Sequence, residues 1–157
     1  MKGFCSLAVV SALTALISRA QTQICPFGIA MWHTGSACTQ TAVSAPTLQG
    51  SYSNGANGCS LTLTLSGGVP WACCTVARVL VIGAQAVSLP IPGGCPLLAS
   101  PDVVVQVPTA LTSVTFPLPP DPGLIGDYAF AQGVVIQFVG GFGTGYDFTD
   151  RLNILIG

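Results

Sequence analysis

The stretch SLTLTLSGGVPWACCTVARVLVIG (residues 60–83) decides the fold class. Its first part alternates leucine with threonine, which is the period-two pattern of a strand with one face in the core and one in water. Glycine and proline then mark a turn, and a second apolar run, VARVLVIG, follows as the returning strand. Two adjacent cysteines, Cys73 and Cys74, precede that run and are either a chemical site or a structural cross-link.

Short β-prone runs of this kind recur along the rest of the chain, each bounded by glycine, proline, asparagine or aspartate. No segment after residue 20 keeps a helical period, although a single helical turn is expected at DPGLIG (residues 121–126). About eight strands predict an all-β fold, a disulfide-linked antiparallel β-sandwich with Greek-key connections of the Ig or jelly-roll kind. The expected strands lie near residues 47–53, 60–66, 73–83, 86–91, 103–107, 112–118, 128–139 and 151–156.

The first twenty residues have the form of a secretory signal peptide, with a basic start, an apolar run from Phe4 to Ile17 and small residues before Gln21. The apolar run is shorter than the roughly 20 residues that span a bilayer. We therefore expect a secreted protein, extracellular or at the cell surface, that has no membrane span. After cleavage, residues 21–157 would form a single β-sandwich domain.

Charged residues make up 6% of the chain, whereas ordinary domains carry roughly 25%. After residue 20 the only bases are Arg78 and Arg151, against five aspartates and no glutamate. Nucleic acid is therefore not an expected partner, because phosphate binding requires clustered lysine and arginine. A surface with so little charge also does little to keep copies of the protein apart.

Three of the expected strands contain VARVLVI, VVVQV and LNILI, which are apolar on both faces. The outer face of a sandwich is normally polar. These strands therefore require a second covering layer, either long loops or other copies of the protein.

Six cysteines remain after the leader, and an even number in an exported chain predicts three disulfides: Cys25, Cys38, Cys59, Cys73, Cys74 and Cys95. Successive side chains of a strand point to opposite faces, so Cys73 and Cys74 should reach two different partners. We expect these to be Cys59 and Cys95, in either order, with Cys25 bonded to Cys38. The spacings match neither zinc sites nor C-x-x-C redox sites, so no metal and no cofactor is expected.

Residues for catalysis are scarce, and we expect the protein not to be an enzyme and to have no catalytic residue. The only histidine, His33, is predicted to lie in a loop, and no G-x-S-x-G motif accompanies the serines. Asp147 and Asp150, in GYDFTDR, are candidate calcium ligands, because calcium takes carboxylate oxygens from loops. The alternatives for them are turn capping and, for Asp150, pairing with an arginine.

Four aromatic residues are candidates for a ligand-binding platform, since the face of an aromatic ring packs well against a sugar ring: Trp32, Trp71, Tyr52 and Tyr146. The alternative is that they belong to the core or to an interface, as most aromatic residues on strands do.

The second half of the chain contains the segments VLVIG (79–83), LPIPGGCPLLASPDVVVQVP (89–108), FPLPPDPGLIGDYAFAQGVVI (116–136) and FTDRLNILIG (148–157). Together these four segments resemble a domain that is common in exported proteins of Planctomycetes and related bacteria. The resemblance implies a secreted β-sandwich of undefined function, with no catalytic residues to carry over.

The sequence favours a structural protein of the cell exterior, a self-assembling homopolymer that forms an extracellular filament or surface layer. Subunits would join by strand addition, with QTQICPFGIAMW (residues 21–32) or RLNILIG (residues 151–157) as the donor strand. The alternative is a secreted monomeric binding module for carbohydrate, with glycans as partners.

The scarcity of basic residues generates a first prediction. Trypsin can cut residues 21–157 only after Arg78 and Arg151, and both lie in expected strands, where the backbone is paired. The folded protein should survive prolonged trypsin treatment, as followed by gel electrophoresis and mass spectrometry. Rapid cleavage after Arg78 would contradict the strand assignment there.

Overall fold

The computed structural model describes residues 25–40, 44–55, 58–68, 75–108, 111–139 and 143–157. Within these ranges the chain forms ten β-strands and one turn of 3-10 helix, so the predicted all-β antiparallel sandwich is confirmed, with about ten strands instead of eight. The strands are β1 (Ile29–Thr34), β2 (Thr47–Gly55), β3 (Gly58–Ser66), β4 (Thr75–Gly83), β5 (Ala86–Pro90), β6 (Pro96–Ala99), β7 (Val103–Val107), β8 (Ser113–Leu118), β9 (Tyr128–Val139) and β10 (Gly143–Ile156).

The strands form a five-stranded sheet in the order β1-β10-β9-β4-β7, a three-stranded sheet in the order β2-β3-β8, and the pair β5-β6. All neighbours are antiparallel. The expectation that β4 returns beside β3 is wrong. The two strands lie in different sheets, because the leucines of β3 and Leu80 of β4 pack in one core from opposite sides. Greek-key connectivity stays a prediction.

The main core lies between the two larger sheets, and the leucine-threonine alternation of β3 behaves as expected. Leu61, Leu63 and Leu65 are buried, and the threonines between them are half-buried on the other face. The buried residues of this core are Leu48, Leu61, Leu63, Leu65, Leu80, Val107, Ala131, Val135, Leu152 and Ile154.

A second apolar cluster covers the opposite face of the five-stranded sheet, which we call the outer face. Val81 directly follows Leu80 and Val134 directly precedes Val135, so the side chains of Val81 and Val134 point away from the main core. Phe148 belongs to the same second cluster. The β5-β6 hairpin packs over them with Leu97 and Ala99. The chain's own β5-β6 hairpin therefore provides a cover for this face, and cover by other copies stays a prediction.

Two disulfides fasten the chain around these cores. Cys25 bonds Cys59, and Cys38 bonds Cys95. The expected Cys25–Cys38 bond is therefore wrong, and so are the expected bonds from Cys73 and Cys74 to Cys59 and Cys95, because both of those partners are taken. The short Cys25–Cys38 loop is not closed because each of its cysteines lies against a different core cluster. Cys73 and Cys74 themselves lie outside the described residues.

The remaining elements agree with the sequence where they are described. The expected helical turn is the 3-10 turn Pro122–Leu124, in which Asp121 accepts a hydrogen bond from the Gly123 amide (2.8 Å). Both arginines lie in interior strands of the five-stranded sheet, Arg78 in β4 and Arg151 in β10. In the described part of the chain, no helix has the length and apolar character needed to cross a membrane. The expected leader lies outside the described residues.

The alternation in β3 generates a prediction that compares two neighbouring positions. Leu63→Ala should lower the free energy of unfolding by about 2–5 kcal/mol, because Leu63 is fully buried and its truncation leaves a cavity. Thr64→Ala, on the opposite face, should change it by less than about 0.5 kcal/mol. Urea denaturation of both variants measures the difference, and equal effects would contradict the assignment of the two faces.

Candidate functional site

The first candidate site is an aromatic patch on the outer face of the five-stranded sheet, formed by Trp32, Tyr128 and Phe130. The strand register brings Trp32 of β1, Asn153 of β10 and Phe130 of β9 into one cross-strand row. Tyr128 lies two residues before Phe130 and therefore on the same face. The aromatic patch thus takes its residues from two strands that flank β10.

The rings of the aromatic patch contact one another and remain open to solvent. Trp32 meets Tyr128 edge-on at 6.3 Å between ring centroids, and Tyr128 lies nearly parallel to Phe130 at 6.4 Å. Trp32 is 41% exposed and Tyr128 is 51% exposed. Exposed aromatic rings can pack against the apolar face of a ligand, so these two rings are the part of the patch that a ligand can reach.

Arg151 and Asn153 hold the aromatic patch in place. The Arg151 guanidinium lies 5.3 Å from the centre of the Phe130 ring. It donates from Nε to Asn153 Oδ1 (3.1 Å) and from one terminal nitrogen to Thr34 Oγ1 (2.8 Å). The buried Asn153 amide donates to the Trp32 carbonyl (2.9 Å) and to Thr34 Oγ1 (2.9 Å). These polar groups hydrogen-bond to one another and to the backbone of β1. They therefore position β1 and its tryptophan.

The predicted platform residues are not brought together. Of the four candidates, only Trp32 lies in the aromatic patch. Tyr52 packs against Phe27 and donates its hydroxyl to the Phe27 carbonyl (2.9 Å), and Tyr146 packs beside the outer-face cluster. Trp71 lies outside the described residues. Tyr128 and Phe130 were missed, although their spacing of two in an expected strand predicts one shared face.

The candidate calcium ligands have different partners. Asp147 is buried in β10. Its carboxylate accepts hydrogen bonds from the backbone N–H of Gln40 (2.7 Å) and from Gln137 Nε2 (2.7 Å). Asp150 lies 3.1 Å from His33 Nδ1, so its side-chain partner is the histidine and not an arginine. Over the described ranges, no group of three or more His, Cys, Asp and Glu residues is arranged to hold a metal ion.

His33 and these aspartates lie on strands and not in the loops that the sequence suggested. His33 is in β1 and is exposed beside Asp150, while Asp147 and Asp150 belong to β10, which begins at Gly143. The glycines in GTGY mask the strand character of this segment in the sequence. His33 has a carboxylate partner, but the described residues place no serine or cysteine nucleophile beside it.

The second candidate site is the free edge of β7. This strand ends the five-stranded sheet and, among the described residues, pairs only with β4. Val103 is 51% exposed and Val104 is 59% exposed, and β7 contains no charged residue. An uncharged edge with exposed valines is a template for pairing with another strand.

The donor strands expected from the sequence are already used. Residues 29–32 belong to β1, which pairs with β10, and residues 151–156 lie between β1 and β9 inside the sheet. Residues 151–156 have strands on both sides and could not add to another subunit without breaking their own sheet. Strand β1 pairs with β10 alone among the described strands, so strand addition through residues 29–32 stays a prediction.

No protein-family model, no curated protein and no solved structure matches this chain. The resemblance of residues 79–157 to the planctomycete domain thus stays a prediction.

The network around Asn153 generates a prediction about the aromatic patch. Asn153→Ala should lower the free energy of unfolding by about 1–3 kcal/mol, because it leaves Arg151 and Thr34 without their shared partner. The emission of Trp32 should shift at the same time, since its carbonyl loses the bond that fixes β1. Thr144→Ala, at an exposed position of the same strand, is the control. Equal stability of the two variants would show that the network does not support the patch.

Proposed function

We propose that this protein is a non-enzymatic structural protein of the cell exterior that assembles with copies of itself into a filament or surface layer. The observation that carries the proposal is that the five-stranded sheet ends in two edges, β1 and β7, that pair with no further described strand. A subunit with two such edges can bind one neighbour on each side, which is the condition for a polymer.

The composition of the edges supports assembly. Monomeric β-proteins protect edge strands with lysine, inward-pointing charges or proline within the strand. Neither edge contains a lysine, a carboxylate or a proline, and the one titratable side chain there, His33, pairs with Asp150. Each edge would therefore be protected best by a neighbouring strand.

The cysteines and the leader support the proposed location outside the cell. Four cysteines form two disulfides, which persist in an oxidising environment. The signal-peptide pattern of residues 1–20 provides a route to such an environment. The low charge suits a protein whose surface is buried against copies of itself.

The assembly proposal predicts the state of the native protein. Oxidised protein, processed by the cells that produce it, should form species larger than dimers in sedimentation velocity and ordered assemblies in electron microscopy. Association of subunits follows mass action, so the assembled fraction should increase with protein concentration. A soluble, unglycosylated monomer that persists at high concentration would contradict the proposal.

Carbohydrate binding by a monomer is the second candidate function, and the aromatic patch is the observation that favours it. Exposed Trp32 and Tyr128 offer ring surface next to a rigid polar network. The Arg151 guanidinium donates to Asn153, Thr34 and the Leu98 carbonyl, so the two exposed rings are the part of the patch that would contact a neutral sugar.

This second candidate predicts that purified protein sediments with insoluble neutral polysaccharides such as glucans or chitin. Trp32→Ala and Tyr128→Ala should each reduce the bound fraction about tenfold or more, because each removes one exposed ring. Phe138→Ala is the matched control, since Phe138 is also exposed but lies at the other end of β9. Retention of binding in both patch variants would exclude the aromatic patch as the site.

A further inference from the structure

The direction of the strands limits how two copies can join. The five strands of the larger sheet alternate in direction and their number is odd, so β1 and β7 run the same way. Copies related by a translation would place β7 beside β1 in a parallel pair. Copies related by a two-fold axis perpendicular to the sheet would instead place β7 beside β7 in an antiparallel pair.

Two considerations favour the two-fold arrangement. Antiparallel pairs are slightly more stable per residue than parallel pairs, and two-fold interfaces are the commonest symmetric contacts between identical chains. We propose that β7 pairs antiparallel with β7 of a second copy, about an axis that lies midway between the two Val105 residues. This inference rests on the proposed self-assembly and names its contact.

The register follows from the residues that bound the strand. Pro101 precedes and Pro108 follows the strand Val103–Val107, and proline has no N–H to donate to a neighbouring strand. The pairable segment is therefore the strand itself, and its centre is Val105. In this register Val103 lies opposite Val107 of the second copy, and Val104 lies opposite Gln106 of the second copy.

The side chains of the edge suit this partner. Val103 and Val104 are the two exposed apolar residues of β7, and the pairing places each beside a residue of the second copy without bringing two charges together. The nearest charge, Asp102, is held by its own chain, where it accepts from the Ala84 amide (2.7 Å) and the Ser100 hydroxyl (2.9 Å). The edge therefore has no like-charge repulsion against its own copy.

Variants that introduce charged residues on the outer face of β7 test the proposal. One variant combines Val104→Lys with Gln106→Lys, and a second combines Val104→Asp with Gln106→Asp. Both positions are exposed, and thermal unfolding checks that each variant folds. In the proposed register, like charges lie directly opposite each other twice, so each variant alone should associate at least about tenfold more weakly than the wild type. Each variant alone can still join a second copy through β1, so its largest species should be a dimer.

An equimolar mixture of the two variants should restore assembly, because each lysine then lies opposite an aspartate. Gln49→Lys combined with Ser53→Lys adds the same charge to exposed positions of β2 and should assemble like the wild type. Assembly of the lysine variant alone, or a mixture that stays dispersed, would overturn the β7-β7 contact while leaving self-assembly in place. A wild type that does not assemble would overturn both.

Discussion

Strands β4, β9 and β10 have apolar side chains on both faces, and the layered arrangement of the structure follows from the need to cover both. In β4 the adjacent residues Leu80 and Val81 are both buried, on opposite sides of the sheet. One side meets the leucines of β3. The other meets the β5-β6 hairpin, so the two-layer sandwich gains a partial third layer from its own chain.

The cover of the outer face is held by specific bonds as well as by apolar contact. Cys38–Cys95 links the hairpin to the segment that runs beside β10, and the buried Gln132 accepts from the Leu98 amide (2.7 Å) and donates to the Thr149 carbonyl (2.8 Å). A buried amide with both of its ends bonded fixes the position of β6 on the sheet. Among the apolar residues that stay exposed, Trp32 lies on the edge strand β1, and Val103 and Val104 lie on the edge strand β7.

Much of the fold could be predicted from local pattern. The alternation in β3 and the turn at residues 121–126 depend on near neighbours, and both are confirmed. The pairing of the cysteines could not be predicted, since it depends on which segments the cores bring together. Strand β6, PLLA, was missed because four residues between turns carry little periodic signal. In the aromatic patch, Asn153 was the available signal, a single polar residue within the apolar run of residues 152–156.

Hydrogen exchange, compared between assembled and dispersed protein, tests most directly the claim that the faces are covered within the subunit and that edges join subunits. The account predicts that the outward-pointing amides of β7 gain protection on assembly, while those of β4, β9 and β10 are protected equally in both states. Unchanged exchange in β7, or new protection concentrated in the β5-β6 hairpin, would contradict it.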